Sequence, residues 1–135
     1  MNIEAFCLCD AATNEAGKLN MLGAFDTIWV EKFPILHPHC AVAVRLRFDA
    51  IEKGNHPLSI NIVDADGRHI VPPLSGVVTI AMPDGQATGT INFVVNVQGL
   101  KIEKPGTLSI DLAVDGRHEM SLPIYIRDKI SPNRN

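Results

Sequence analysis

Along the segment AVAVRLRFDA, residues 41–50, Val42, Val44, Leu46 and Phe48 fall on one side of an extended chain. Ala43, Arg45, Arg47 and Asp49 fall on the other. A period of two is the signature of a strand with one buried and one wet face, and it excludes a helix, whose apolar positions recur every three to four residues. The segment TGTINFVVNV, residues 88–97, repeats the pattern with Ile91, Phe93, Val95 and Val97 on the apolar side. Further strands are predicted at Ile3–Cys9, Leu19–Val30 (bent near Gly23), Leu58–Val63, His69–Val71, Val77–Met82, Leu108–Leu112 and His118–Ile126. Turn-forming clusters such as NEAGK, EKGNHP, PDGQ and EKPG separate them, and only Asp10–Glu15 offers room for a helical turn.

Eight or nine short strands without helices predict a single antiparallel β-sandwich, immunoglobulin-like or similar. At 135 residues the chain has the length of one domain, and such a domain buries roughly two-thirds of its unfolded surface without disulfide or metal. The domain is expected over residues 1–130, with SPNRN, residues 131–135, as a flexible tail.

The tetrapeptide Asp-Gly-Arg-His occurs at Asp66–His69 and again at Asp115–His118. An acid, a cation and an imidazole in one short run resemble catalytic equipment, yet the hydrophobic register explains both copies as turns. A hairpin loop must return apolar residues to the face they left. A three-residue loop at Ala65–Gly67 pairs Ile62 with Ile70 and His69 with Val63. A three-residue loop at Val114–Gly116 pairs Ile110 with Met120, Leu108 with Leu122 and His118 with Leu112. His69 is then predicted to face outward and His118 towards the core, so the two do not build one site. Whether the hairpins share an end of the molecule depends on whether Pro72-Pro73 bulges a strand or reverses it.

Other constellations carry less chemistry than their residue types suggest. Cys7, Cys9, His37 and His39, with Cys40 beside them, contain the donors of a zinc site. One residue between Cys7 and Cys9 is short of the usual structural spacing, and strand neighbours two apart hold their thiols too far from one ion. Asp64, Asp66 and Gly67 resemble the start of a calcium loop, but the closing acid falls on Ser75. Cys40 adjoins His39, and adjacent strand residues point to opposite faces, so they form no nucleophile–base pair. No catalytic residue and no cofactor is predicted. Arg45 and Arg47 share a wet face, and Trp29 is expected in the core.

A net charge of −3 with both signs interspersed lacks the basic footprint of a nucleic-acid binder. No apolar run approaches the length of about 20 residues that spans a membrane, and the first ten residues lack a secretory pattern. Three cysteines, an odd number, suit reduced thiols and a cytoplasmic location.

The segments GKLNMLGAFDTI, FPILHPHCAVAVRLRF, KGNHPLSINIVDADG and PGTLSIDLAVDG, in this order, resemble a family of small bacterial β-sandwich proteins of unknown function. The resemblance supports the sandwich and, because that family has no assigned activity, implies no site residue. The expectation is a non-enzymatic binding or structural module. It would contact a protein partner or form a homo-oligomer through a sheet edge or the apolar outer face near Val77–Met82. The alternative is a metal-binding protein using the Cys/His cluster.

Overall fold

A computed structural model describes residues 1–129, so the tail expected at 131–135 lies outside the described residues. The described residues are all-β, with nine strands in two sheets: β1 (Asn2–Glu15), β2 (Lys18–Ala24), β3 (Thr27–Val30), β4 (Ile35–Asp49), β5 (Gly54–Val63), β6 (Leu74–Ile80), β7 (Thr88–Ile102), β8 (Gly106–Val114) and β9 (Arg117–Asp128). One sheet has the order β2-β1-β4-β7 and the other β3-β9-β8-β5-β6. All pairs are antiparallel except β3–β9, which is parallel.

Alternation places the core between the sheets. Val42, Val44, Leu46 and Phe48 of β4 meet Ile60 and Ile62 of β5, Ile110 and Leu112 of β8, and Ile124 and Ile126 of β9 in one cluster. Each of these ten side chains is at most 1% exposed. Burying an aliphatic side chain of this size stabilises by about 1.5–3 kcal/mol. A one-residue slip of β8 would move Ile110, Leu112 and Val114 to water together, so the register is strongly specified.

Several sequence expectations are corrected. Asp10–Glu15 is not helical: it continues β1 into a tight hairpin whose turn residues, Ala16 and Gly17, both have positive φ (50° and 73°). The single helical turn among the described residues is a 3-10 turn at Ala50–Glu52. The predicted strand Leu19–Val30 is two strands in different sheets, because the chain crosses between layers at Phe25-Asp26, where Phe25 N–H donates to the Leu8 carbonyl and Tyr125 N–H to that of Asp26. His69–Val71 contributes only the isolated bridge Val63–His69, and Pro72-Pro73 bulge the chain before β6 rejoins β5 with Leu74 opposite Ile60.

The first Asp-Gly turn has the predicted three-residue loop, with Ile70 N–H donating to the Ile62 carbonyl at 2.8 Å. The second does not. Asp115 and Gly116 (φ 54° and 77°) form a two-residue turn that pairs Val114 with Arg117 and Ala113 with His118. A bulge at Glu119 then restores the apolar register, setting Met120 against Leu112 and Leu122 against Ile110. Two consecutive positive φ angles match the twist of the flanking strands, and one extra residue corrects the phase that this shorter turn disturbs. His118 consequently lies on the outer face, opposite the prediction.

Both faces of β4 are covered around its middle. Ala41 and Ala43 point away from the core, yet are 0% exposed. The far half of the β1–β2 hairpin folds across them, its tip fixed on β7 where Asn92 Nδ2 donates to Asn14 Oδ1 (3.3 Å) and to the Gly17 carbonyl (3.1 Å). Small side chains at 41 and 43 leave room for this arm. At the other end of β4 the alternation reverses around Pro38 and Gly99, which stand between the His37–Leu100 and His39–Gln98 pairs; Gly99 has φ 75° and Leu100 is fully buried.

Candidate functional site

A concavity of about 500 Å³ opens at the end of the molecule where β7 hands the chain to β8 and β5 turns towards β6. That volume falls within the range typical of small-molecule sites. Its floor is apolar: Ile102 and Ile126 reach it from the core, and half-buried Ile70 and Leu108 flank them. The rim carries Arg68 and His69 from the β5–β6 turn, Lys101 from the end of β7, and Glu103 and Lys104 from the crossing into β8.

The charges of this mouth are unevenly partnered. Asp64 closes its own turn: Oδ1 accepts the backbone N–H groups of Asp66 and Arg68, both at 2.9 Å. The N–H of Arg68 holds the Asp64 carboxyl below its ordinary value, helped by that of Asp66 and the nearby charges of Arg68 and Lys104. Glu103 pairs with Lys101 at 3.5 Å. Among the described residues neither Arg68 nor Lys104 makes an ion pair. The mouth therefore combines a greasy floor with two cations that make no ion pair among the described residues and stand near the Asp64 carboxylate, in a chain whose net charge is −3.

Beyond the rim lies an aromatic patch on the outer face of the β3–β9 edge. Trp29, expected in the core, is 53% exposed; β3 pairs in parallel with β9, and this sets Trp29 beside Arg127. The guanidinium of Arg127 sits 4.9 Å from the centroid of the Tyr125 ring. Thr107, on the rim of the mouth, pairs with Tyr125, so patch and mouth adjoin.

The remaining polar clusters satisfy themselves. Glu4 bridges Arg45 (2.9 Å) and Arg47 (2.6 Å), while Asn92 and Thr88 take their other donors, so these arginines are not poised for an anion. Their hydrogen bonds, that of Arg47 first, hold the Glu4 carboxyl below its ordinary value. His56 is wedged between the Glu52 carbonyl (Nε2, 2.6 Å) and the Asp115 carboxylate (Nδ1, 2.9 Å), with its ring 4.7 Å from that of Phe48. Acceptors at both nitrogens favour the doubly protonated ring and raise its pKa, the carbonyl contributing most.

On the outer face of β8 and β9, Asp111 Oδ1 accepts the hydroxyls of Ser109 (2.7 Å) and Ser121 (2.6 Å), and His118 Nε2 lies 2.7 Å from Ser121 Oγ. The serine hydroxyl is already donated to the carboxylate, so His118 meets its oxygen as a donor. A nucleophilic serine needs the reverse, with its proton pointed at the imidazole.

The four residues of the predicted metal cluster are not brought together as a ligand set. Cys7 and Cys9 lie opposite Ala43 and Ala41, on the face away from the core, whereas Cys40 belongs to the core cluster. Burial first, and the charge of Asp10 second, pushes the Cys40 thiol up to about 11. His37 turns its ring towards Phe25 (6.0 Å), while His39 Nδ1 contacts the Asp10 carbonyl at 3.1 Å. Among the described residues no group of three or more His, Cys, Asp or Glu side chains could hold a metal ion. The two Asp-Gly-Arg-His copies sit at opposite ends of the sheet, since Val63 pairs with Ser109 and Leu58 with Val114.

The basic rim was not singled out by sequence reasoning, which read EKPG only as a turn. Lys101 lies at the end of β7, Lys104 in the crossing into β8 and Arg68 in the β5–β6 connection, and the sheet order makes these neighbours.

Residues 4–127 match the model of a family of unknown function (DUF6941), and the chain belongs to that family. No curated protein matches it. Among solved structures it is similar to the alkylpurine DNA glycosylase AlkC of Pseudomonas fluorescens, bound to DNA containing an abasic site analog, at 15% identity and a TM-score of 0.42. It is also similar to a beta-glucuronidase from glycoside hydrolase family 2, at 17% identity and a TM-score of 0.37. The alignments cover 76% and 67% of this chain but only 28% and 10% of those proteins. No helix among the described residues is long and apolar enough to cross a membrane.

Proposed function

We propose that this member of DUF6941 is a non-enzymatic binding module, an immunoglobulin-like sandwich working in the cytoplasm, that takes a small amphipathic anion into the mouth between β5–β6 and β7–β8. The observation that carries this reading is the meeting of an apolar floor (Ile70, Ile102, Leu108, Ile126) with the cations Arg68 and Lys104, which make no ion pair among the described residues. An alkyl chain would cover the floor, and its carboxylate or similar headgroup would meet the two cations in a partly dehydrated site, where charge-assisted hydrogen bonds are strongest. Three free cysteines support the cytoplasmic assignment.

The test is a calorimetric titration with octanoate below its micelle concentration, with 1-octanol and acetate as controls. Saturable binding is expected for octanoate and weaker binding for each control, because each lacks one half of the match. A hydrogen bond to a charged group contributes about 1.5–3 kcal/mol. The double variant Arg68→Ala/Lys104→Ala should therefore weaken octanoate at least about tenfold. Absence of saturable binding, or equal affinity in the variant, overturns the assignment.

Exposed Trp29 favours a second reading, in which a protein partner docks on the patch with Tyr125 and Arg127. Tryptophan, tyrosine and arginine are the residue types most enriched at binding hot spots. A mouth indifferent to octanoate leaves this second reading in place of the first.

A further inference from the structure

From Ile70 through Pro83 the chain carries no Asp, Glu, Lys, Arg or His, although 20% of all residues are charged. Within this stretch lies β6, the terminal strand of the five-stranded sheet, hydrogen-bonded among the described residues only to β5. Edge strands present unpaired backbone groups, and proteins guard them with charges, prolines or short length. The other edges show such guards: β2 opens on Lys18, β3 is four residues long, and β7 carries Lys101. The seven residues of β6, Leu-Ser-Gly-Val-Val-Thr-Ile, hold neither charge nor proline, and Pro72-Pro73 stand just before them.

The strand is also a chemical palindrome. Reflected about Val77, Leu74 meets Ile80, Ser75 meets Thr79 and Gly76 meets Val78. The faces agree as well. Leu74, Gly76, Val78 and Ile80 lie opposite Ile60, Leu58, His56 and Gly54 on the inner side, where Val78 and Ile80 are buried. Ser75, Val77 and Thr79 lie on the outer side, with Val77 64% exposed. A two-fold axis through an antiparallel β6–β6 pair would thus set apolar against apolar and hydroxyl against hydroxyl, with no charge facing its own copy.

We propose that β6 is the self-association edge of this protein, joining two copies antiparallel about Val77 into one ten-stranded sheet. The occupant is a second copy because the strand is complementary to itself and offers no charge by which a different partner would be selected. This surface is separate from the anion-binding mouth, and either assignment can fail alone.

Sedimentation velocity from micromolar to millimolar protein reads the association, and single cysteines read the register. Residues directly opposite in an antiparallel pair have Cα atoms about 4.5–5.5 Å apart, within disulfide reach. In a Cys7→Ser background, which removes the partly exposed native thiol, Val77→Cys should cross-link to its copy on oxidation. Thr79→Cys should not, since it stands four positions off-register from its own copy, about 13 Å away. Val77→Lys, which sets like charges face to face, should weaken the dimer about tenfold or more. A strict monomer across the range overturns the proposal. So does a dimer that Val77→Lys leaves intact, or one in which Thr79→Cys cross-links as readily as Val77→Cys.

Discussion

Ala43 is an outward-facing residue with no exposed surface, and its burial depends on the hairpin arm of residues 10–23 lying over it. Ala43→Leu tests that arrangement. The substitution adds a bulky group between Cys7 on one side and Val94 on the other, under the arm. Overpacking of a closed site costs about 1–3 kcal/mol. The cost is capped because the arm can lift: its tip is held by the Asn14–Asn92 and Gly17–Asn92 hydrogen bonds, each exposed and contributing about 0.5–1.5 kcal/mol net. With an unfolding entropy of about 2.1 cal/mol/K per residue, 135 residues give about 0.28 kcal/mol/K, so each kcal/mol lowers Tm by about 3.5 °C. A fall of roughly 4–10 °C is expected. It should come with faster proteolysis at Ala16-Gly17 and Lys18 and loss of the distinct Asn92 side-chain amide resonance. A variant as stable and as protected as the parent would refute the covered face.

Trp29 is the single tryptophan, so fluorescence reads it alone. Its emission should be that of a solvated indole and acrylamide should quench it in the native protein, whereas a blue-shifted, protected emission would return it to the core. The His56 clamp predicts a pH dependence. Its pKa is raised in the folded state, so its contribution is fully present below the ordinary histidine value near 6.5 and is lost as pH rises through the folded-state value. Urea unfolding of the parent should show stability falling across that window. Asp115→Asn, which keeps a residue tolerant of positive φ but removes the carboxylate, should flatten the fall; an unchanged slope would exclude the pairing.

The rhythm of β4, β5, β7 and β8 was legible because each of these strands has one face in the core, and a period of two records that directly. Trp29 was misread because Phe25, Thr27 and Trp29 alternate with Asp26, Ile28 and Val30 without a polar side. The layer crossing at Phe25-Asp26 and the parallel pairing that turns Trp29 outward depend on β9, a hundred residues away in the chain. The second hairpin failed for a local reason: loop length and bulge position trade off, and both solutions keep Leu112, Ile110 and their partners on the core side. Ala41 and Ala43 carried a signal that could have been used, since alanine on a supposedly wet face suits a covering element. The mouth was beyond any local pattern, because Arg68 and Lys104 are 36 positions apart and become neighbours only through the order β8-β5 in one sheet and the crossing from β7.

The binding claim is tested most directly by locating octanoate on the uniformly labelled protein through its backbone amide shifts. Saturable changes confined to Arg68–Ile70, Ile102–Leu108 and Ile126 are the predicted result. Shifts that centre on Trp29 and Arg127, or none that saturate, would contradict it.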